Sequence, residues 1–203
     1  LLRKKSLVLL VQGFFGVFPW NMLTYWFFRY LETERGYTSA QATTTMMAAI
    51  LALSSDYFIG GALGDFFFRR TPRGRALVSA TAVLLGAALL VWTLTGTGGN
   101  QTLFMVGLAL TAVVMPFAAP NVISTVHDVA PPEVRSTALA ALNFAETIGS
   151  ATTPLLAGLI AVQSSLHNAI LIICTLCAAF FSEVAVWVPR DNRLAAGADA
   201  PAG

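Results

Sequence analysis

Charge is what this sequence lacks. Only 11% of its residues are Asp, Glu, Lys or Arg, against 56% apolar ones, and the mean hydropathy is +0.71. Soluble domains carry about 25% charged residues, so this composition excludes one and points to a chain solvated by lipid. Cysteine is nearly as scarce, with Cys174 and Cys177 one turn apart in an apolar run. With no second pair and no histidine beside them, they read as buried structural thiols rather than a zinc or redox site. The two histidines, His127 and His167, fall on opposite sides of the membrane in the topology below, so they cannot share an active site. Neither G-x-S-x-G nor H-E-x-x-H occurs, which removes the common hydrolase signatures. A selectivity filter of the T-V-G-Y-G kind is also missing. The net charge of +2 is small and its basic residues are placed by topology, so nucleic acid is not implied. No enzyme activity, cofactor or metal is expected.

What is present is a series of apolar runs. Six are long enough to cross a hydrocarbon core, which needs about 20 residues: 7–28, 42–67, 76–95, 103–126, 137–162 and 168–188. The expected domain is one bundle over 1–188, with an Ala/Gly/Pro-rich cytoplasmic tail over 189–203 that reads as disordered. The chain opens on Leu1 rather than Met, as a piece of a longer or processed chain would. Its first run is too long for a signal peptide and has no cleavage site after it. With the N-terminus inside, ten of the 12 Lys and Arg residues fall inside, and only Arg29 and Arg35 fall outside. That bias sets both termini in the cytoplasm. The external segment holding Arg29, Glu32, Glu34 and Arg35 reads as a solvated face, with Gly36 a helix C-cap and Ser39 an N-cap.

Polar residues inside the runs are the candidates for chemistry. In the first run Gln12, Gly16, Trp20 and Thr24 recur every four residues, and Asn21 follows Trp20. Pro19 favours a kink there. Such a face lines a cavity or packs against a neighbouring helix, and the spacing alone allows either. Asp56 lies nine residues before Asp65, about 13 Å into the core, where an acid is expensive and usually functional. The third run has no ionisable group and reads as a lipid-facing support. The fourth contains Pro116, Pro120 and Asn121, an irregular helix of the kind found near transport sites. In the fifth run Asn143, Glu146, Ser150 and Thr153 form a single polar stripe. Glu146 lies about 15 Å from the inner edge, nearly the depth of Asp56. If both face inward, they can share or pass a proton.

The stretch from Gly60 to Arg75 ties these runs together. Gly60 and Gly64 make a small-x-x-x-small face for close helix approach, and four arginines follow in one short loop. The spacing Gly61-x-x-x-Asp65-x-x-x-Arg69-Arg70 resembles the loop motif of the major facilitator superfamily, G-x-x-x-D-R-x-G-R-R. Phe66 and Phe68 depart from it. The resemblance implies a conformational latch built from Gly61, Asp65, Arg69, Arg70 and Arg73; a loop that only fixes topology has the same composition. Gly149, Pro154 and Gly158 fit that family's G-x-x-x-G-P-x-x-G-G packing pattern, with Thr153 and Ala157 replacing two glycines. A P-P-E-x-R segment, Pro131 to Arg135, also resembles the family.

The resemblance implies an all-α membrane protein: six transmembrane helices as an inverted 3+3 repeat, half of a facilitator-superfamily bundle. The fourth run lacks the R-x-x-Q-G of the family's first half, so the chain resembles helices seven to twelve. The function implied is secondary active transport of a small-molecule solute by alternating access, as symport or antiport. Proton coupling falls to Asp56 and Glu146, and substrate binding to Gln12, Trp20, Asn21, Asn121, Asn143 and Ser150. The expected partners are the lipid bilayer and an N-terminal six-helix half, covalent or separate, and the expected location is a bacterial plasma membrane. The alternative is a facilitator-like subunit that does not transport but braces a larger complex.

Overall fold

The computed structural model describes residues 4–54, 56–70, 74–129 and 132–187. Among them are nine α-helices and no strand: α1 (Lys4–Gly16), α2 (Phe18–Thr33), α3 (Ser39–Ser54), α4 (Asp56–Phe68), α5 (Gly74–Gly96), α6 (Gln101–Val114), α7 (Ala118–Val129), α8 (Arg135–Gln163) and α9 (Leu166–Trp187). The tail expected over 189–203 lies outside the described residues.

Prolines explain why the first and fourth runs each hold two helices, whereas α3 and α4 are divided only at residue 55, which lies outside the described residues. Proline has no N–H to give the preceding turn, and its ring crowds the carbonyl four residues back. The first run therefore breaks at Val17, and Pro19 sits in the first turn of α2, where the missing N–H costs nothing. α2 then continues five residues past the expected end at 28. In the fourth run Pro116 converts Met115–Phe117 into a short 3-10 turn between α6 and α7. Pro154 is carried inside α8 without ending it. Ser39, expected as an N-cap, is already the first residue of α3, and the cap is Thr38. Its hydroxyl accepts from the Gln41 amide at 3.3 Å, and the Gln41 side chain accepts from the Thr38 amide at 2.9 Å, a reciprocal capping box.

Among the described residues, four helical segments are long and apolar enough to cross a membrane: Ser39–Phe68, Leu77–Gly96, Gln101–Ser124 and Pro132–Gln163. α1 and α2, at 13 and 16 residues, each fall short separately because of the break. In α9 the stretch Leu166–Phe180 is a shorter apolar helix.

α5 supports the bundle from one side and keeps another open. It packs against α9, α6, α7 and α4, and only one side, with Leu77, Leu84, Leu85 and Trp92, is exposed. The exposed side fits the lipid-facing reading of this run, and the opposite side packs on its neighbours with Ser79 and Thr93 buried. The main core gathers Met22, Phe27, Tyr30, Leu90, Phe104 and Ile170 from α2, α5, α6 and α9. Cys174 and Cys177 are free, buried thiols of the same core.

Candidate functional site

In lipid, apolar contact between helices gains nothing over contact with acyl chains, so close approach and polar bonds decide which helices meet. The first such seam joins α1 and α2 to α8. A side chain at Gly149 would collide with the Phe14 carbonyl, and one at Gly13 with Leu142 of α8. The Glu146 side chain passes 3.4 Å from the place a Gly13 Cβ would take, so the acid lies on the α1 backbone, half-buried. One turn along, the Asn21 amide spends both hydrogens: one on the Val17 carbonyl at 2.9 Å, one on Ser150 Oγ at 2.9 Å. Pro154 has no N–H for the Ser150 carbonyl, which loses its helical partner. Together the freed carbonyl, the Ser150 hydroxyl hydrogen and Asn21 Oδ1 give this seam both donor and acceptor capacity.

The polar residues around the seam divide by exposure. Gln12 is buried at 3% exposure, whereas Trp20 is 44% exposed and Thr24 is exposed. The expected single face of the first run is thus split, because the break at Val17 resets the helical register. The α8 stripe runs from exposed Asn143 through half-buried Glu146 and Ser150 to fully buried Thr153, whose hydroxyl bonds its own helix at Gly149. Gly149 makes the tight contact of the packing pattern. Gly158 makes an ordinary one, with Trp26. The indole N–H of Trp26 is buried with no hydrogen-bond partner among the described residues.

The second seam joins α4 to α7. Asn121, 2% exposed, donates to the Gly60 carbonyl at 3.1 Å and to the Phe117 carbonyl at 2.7 Å. Its Oδ1 occupies the space any side chain at Gly64 would need. The small-x-x-x-small face of Gly60 and Gly64 is therefore a notch for an asparagine, and Gly61 faces open space. Below it Asp65, Arg69 and Arg70 are exposed at the helix end, and the Arg70 guanidinium stacks 4.4 Å from the Phe66 ring centre. The side chain of Asp56 and the whole of Arg73 lie outside the described residues. α4 and α8, which carry the two membrane acids, share α7 as a neighbour.

The residues that sequence reasoning missed lie at the opposite end. Arg35, read there as solvated, is a hub. Its Nη1 donates to the Gly98 carbonyl at 2.6 Å, and its Nη2 to Thr93 O, Leu94 O and Thr97 Oγ1 at 3.1–3.4 Å. Its Nε donates to the Tyr30 hydroxyl at 3.2 Å, and its plane stacks 4.1 Å from the Phe104 centroid. The cation thus caps the C-terminus of α5, where carbonyls lack partners and the helix dipole is negative. Glu34, also read as solvated, caps the N-terminus of α9, accepting from the amides of Leu166 at 2.6 Å and His167 at 3.0 Å. Tyr30 is buried and its hydroxyl also meets His167 Nδ1 at 3.2 Å. Gly107 lets Thr93 approach α6 beneath this cluster. All the partners are more than 55 positions from Arg35 or Glu34 except Tyr30, so no local pattern announces them.

A helical bundle with four membrane-length apolar segments among the described residues has the makeup of an integral membrane protein. The family model of the Major Facilitator Superfamily matches residues 57–201. The chain belongs to that superfamily. No curated protein matches it.

Proposed function

We propose that this chain is the C-terminal half of a secondary active transporter that moves a small solute by alternating access, coupled to protons. The supporting observation is where burial is missing. Only 7% of the Ser39–Phe68 window and 17% of the Pro132–Gln163 window are buried, against 50% and 44% for the other two membrane-length segments. The poorly covered pair carries Asp56, Asp65 and Glu146. Acids in a membrane face protein or water, not lipid, so a second six-helix half, covalent or separate, belongs against this flank. The cavity lies between the halves, and the six runs pair as an inverted 3+3 repeat.

In this reading Glu146 and Asp56 carry the proton, and Trp20, Asn143, Asn21 and Ser150 meet a solute able to donate and accept hydrogen bonds. Gln12 lies behind them. Asn121 acts by seating α7 on α4 and so fixing the helix that ends in the Asp65, Arg69, Arg70 and Arg73 latch. In this reading the latch and both termini lie in the cytoplasm, which the positive-inside bias supports, and the membrane is a bacterial plasma membrane.

The test is solute-driven proton uptake in liposomes holding the full polypeptide, read with a trapped pH dye across a panel of sugars, amino acids and organic ions. Glu146→Gln abolishes uphill uptake and leaves solute exchange intact. Unchanged uphill uptake in that variant removes the coupling role, and proton-independent behaviour with every solute favours the bracing subunit instead. The mass of the native polypeptide, detected through its C-terminal tail, separates a covalent partner half from a separate one.

A further inference from the structure

The cluster of Tyr30, Glu34, Arg35 and His167 does more than hold the fold, because its hydrogen bonds fix one protonation state. A guanidinium can only donate, so Arg35 Nε gives its hydrogen to the Tyr30 oxygen. The tyrosine hydroxyl therefore has its own hydrogen to place, and His167 Nδ1 is the acceptor within reach at 3.2 Å. This assigns His167 as neutral, with its proton on Nε2. A protonated imidazole has hydrogens on both nitrogens. Its Nδ1–H would then face a hydroxyl already holding a donor, and the buried Tyr30 hydrogen would lose its acceptor.

We propose that His167 is a proton-sensing switch: when it is protonated, its link to Tyr30 breaks and the clasp between α2, α5 and α9 loosens. The charged and titratable groups around it pull in opposite directions. Arg35, held by its carbonyl partners on α5 and stacked on Phe104 of α6, cannot withdraw, and it opposes a second cation nearby. Glu34 favours the imidazolium, but its carboxylate is exposed to water and engaged by two backbone amides. Tyr30 stays protonated, since burial raises its pKa and outweighs the lowering effects of Arg35. Tyr37 presents another neutral phenol to Arg35. His167 is only half-buried, so its protonated ring can turn out to solvent without unfolding the bundle. The switch does not depend on the transport reading above. If the charge bias sets the topology, it samples the external pH.

Hydrogen exchange of the full chain in lipid nanodiscs tests this. Imidazole is the side chain that changes charge between about pH 7.5 and pH 5.5. After correction for intrinsic exchange rates, acidification across that window should cut protection of the first turn of α9 about fivefold, the worth of one net hydrogen bond. His167→Gln, a neutral side chain with an acceptor oxygen, should abolish the response, and Tyr30→Phe should leave the turn loose at both values. No response in the native chain overturns the proposal. So does a response that survives His167→Gln but vanishes in Glu34→Gln, which makes the carboxylate the sensor. If the glutamine variant fails to fold, nitrogen NMR of histidine-labelled protein decides. The chain has two histidines, so His127→Gln leaves one signal. A neutral His167 with its proton on Nδ1 sinks the idea.

Discussion

At the scale of single residues, what was legible in the sequence was type and spacing, and what was not was partnership. Gly60 and Gly64 announced a close approach by their spacing. That the occupant is Asn121, some 60 positions away, did not follow from either segment. The notch makes a coupled prediction. Gly64→Ala drives a methyl into Asn121 Oδ1 and should cost about 1–3 kcal/mol, the usual range for overpacking. In an Asn121→Ala background the same methyl enters vacated space and should cost little. A double-mutant cycle on detergent melts measures the difference, and additive losses would mean that the two side chains do not compete for one space. A second prediction concerns pH. Tyr37, in the connection before α3, has a raised pKa because burial disfavours its phenolate, with Arg35 pulling the other way. The folded chain therefore holds that proton longer than the unfolded chain does. Its contribution to stability is intact below the ordinary tyrosine value of 10.0 and is lost as pH rises through the raised one. Tyr37→Phe keeps the ring against Phe104, so it should leave neutral-pH stability nearly unchanged and move the alkaline unfolding midpoint upward.

At the scale of elements, each of the six apolar runs contains helix, and the two prolines Pro19 and Pro116 set where the first and fourth are interrupted. Periodicity assumed an unbroken helix, and that is why the Gln12–Trp20 face was drawn as one and is found as two. Charge patterning erred in the opposite direction. Glu34 and Arg35 looked like solvated loop charges because nothing nearby in sequence pairs with them, yet the ends of α5 and α9 supply unpaired carbonyls and amides that charged side chains satisfy well. Pro154 offers a test at this scale. Pro154→Ala returns an N–H to the Ser150 carbonyl and should raise the melting temperature. If the freed carbonyl serves the solute, transport should fall in the same variant. A variant that is more stable and fully active would reduce Pro154 to packing.

At the scale of the whole molecule, the acids and the incomplete burial lie on the same helices, and this sets a test between lipid and water along α8. Phe144, Ile148, Leu155 and Leu159 are exposed there, as they would be against lipid, but Asn143 and half-buried Glu146 and Ser150 share the helix with them. A bilayer offers no hydrogen bonds to such groups, so the polar stripe should open onto a water-filled cavity once a partner half is in place. Asn143→Cys in the full polypeptide should therefore react with a membrane-impermeant thiol reagent. Leu176→Cys, exposed on α9 among apolar neighbours, should not. The native thiols, Cys174 and Cys177, are buried and give little background. Equal protection of both engineered thiols would place the α8 stripe against protein or lipid and remove the aqueous cavity from this face. Labelling of Asn143→Cys that a transported solute slows would tie the cavity to its cargo, because a bound solute shields the stripe it occupies.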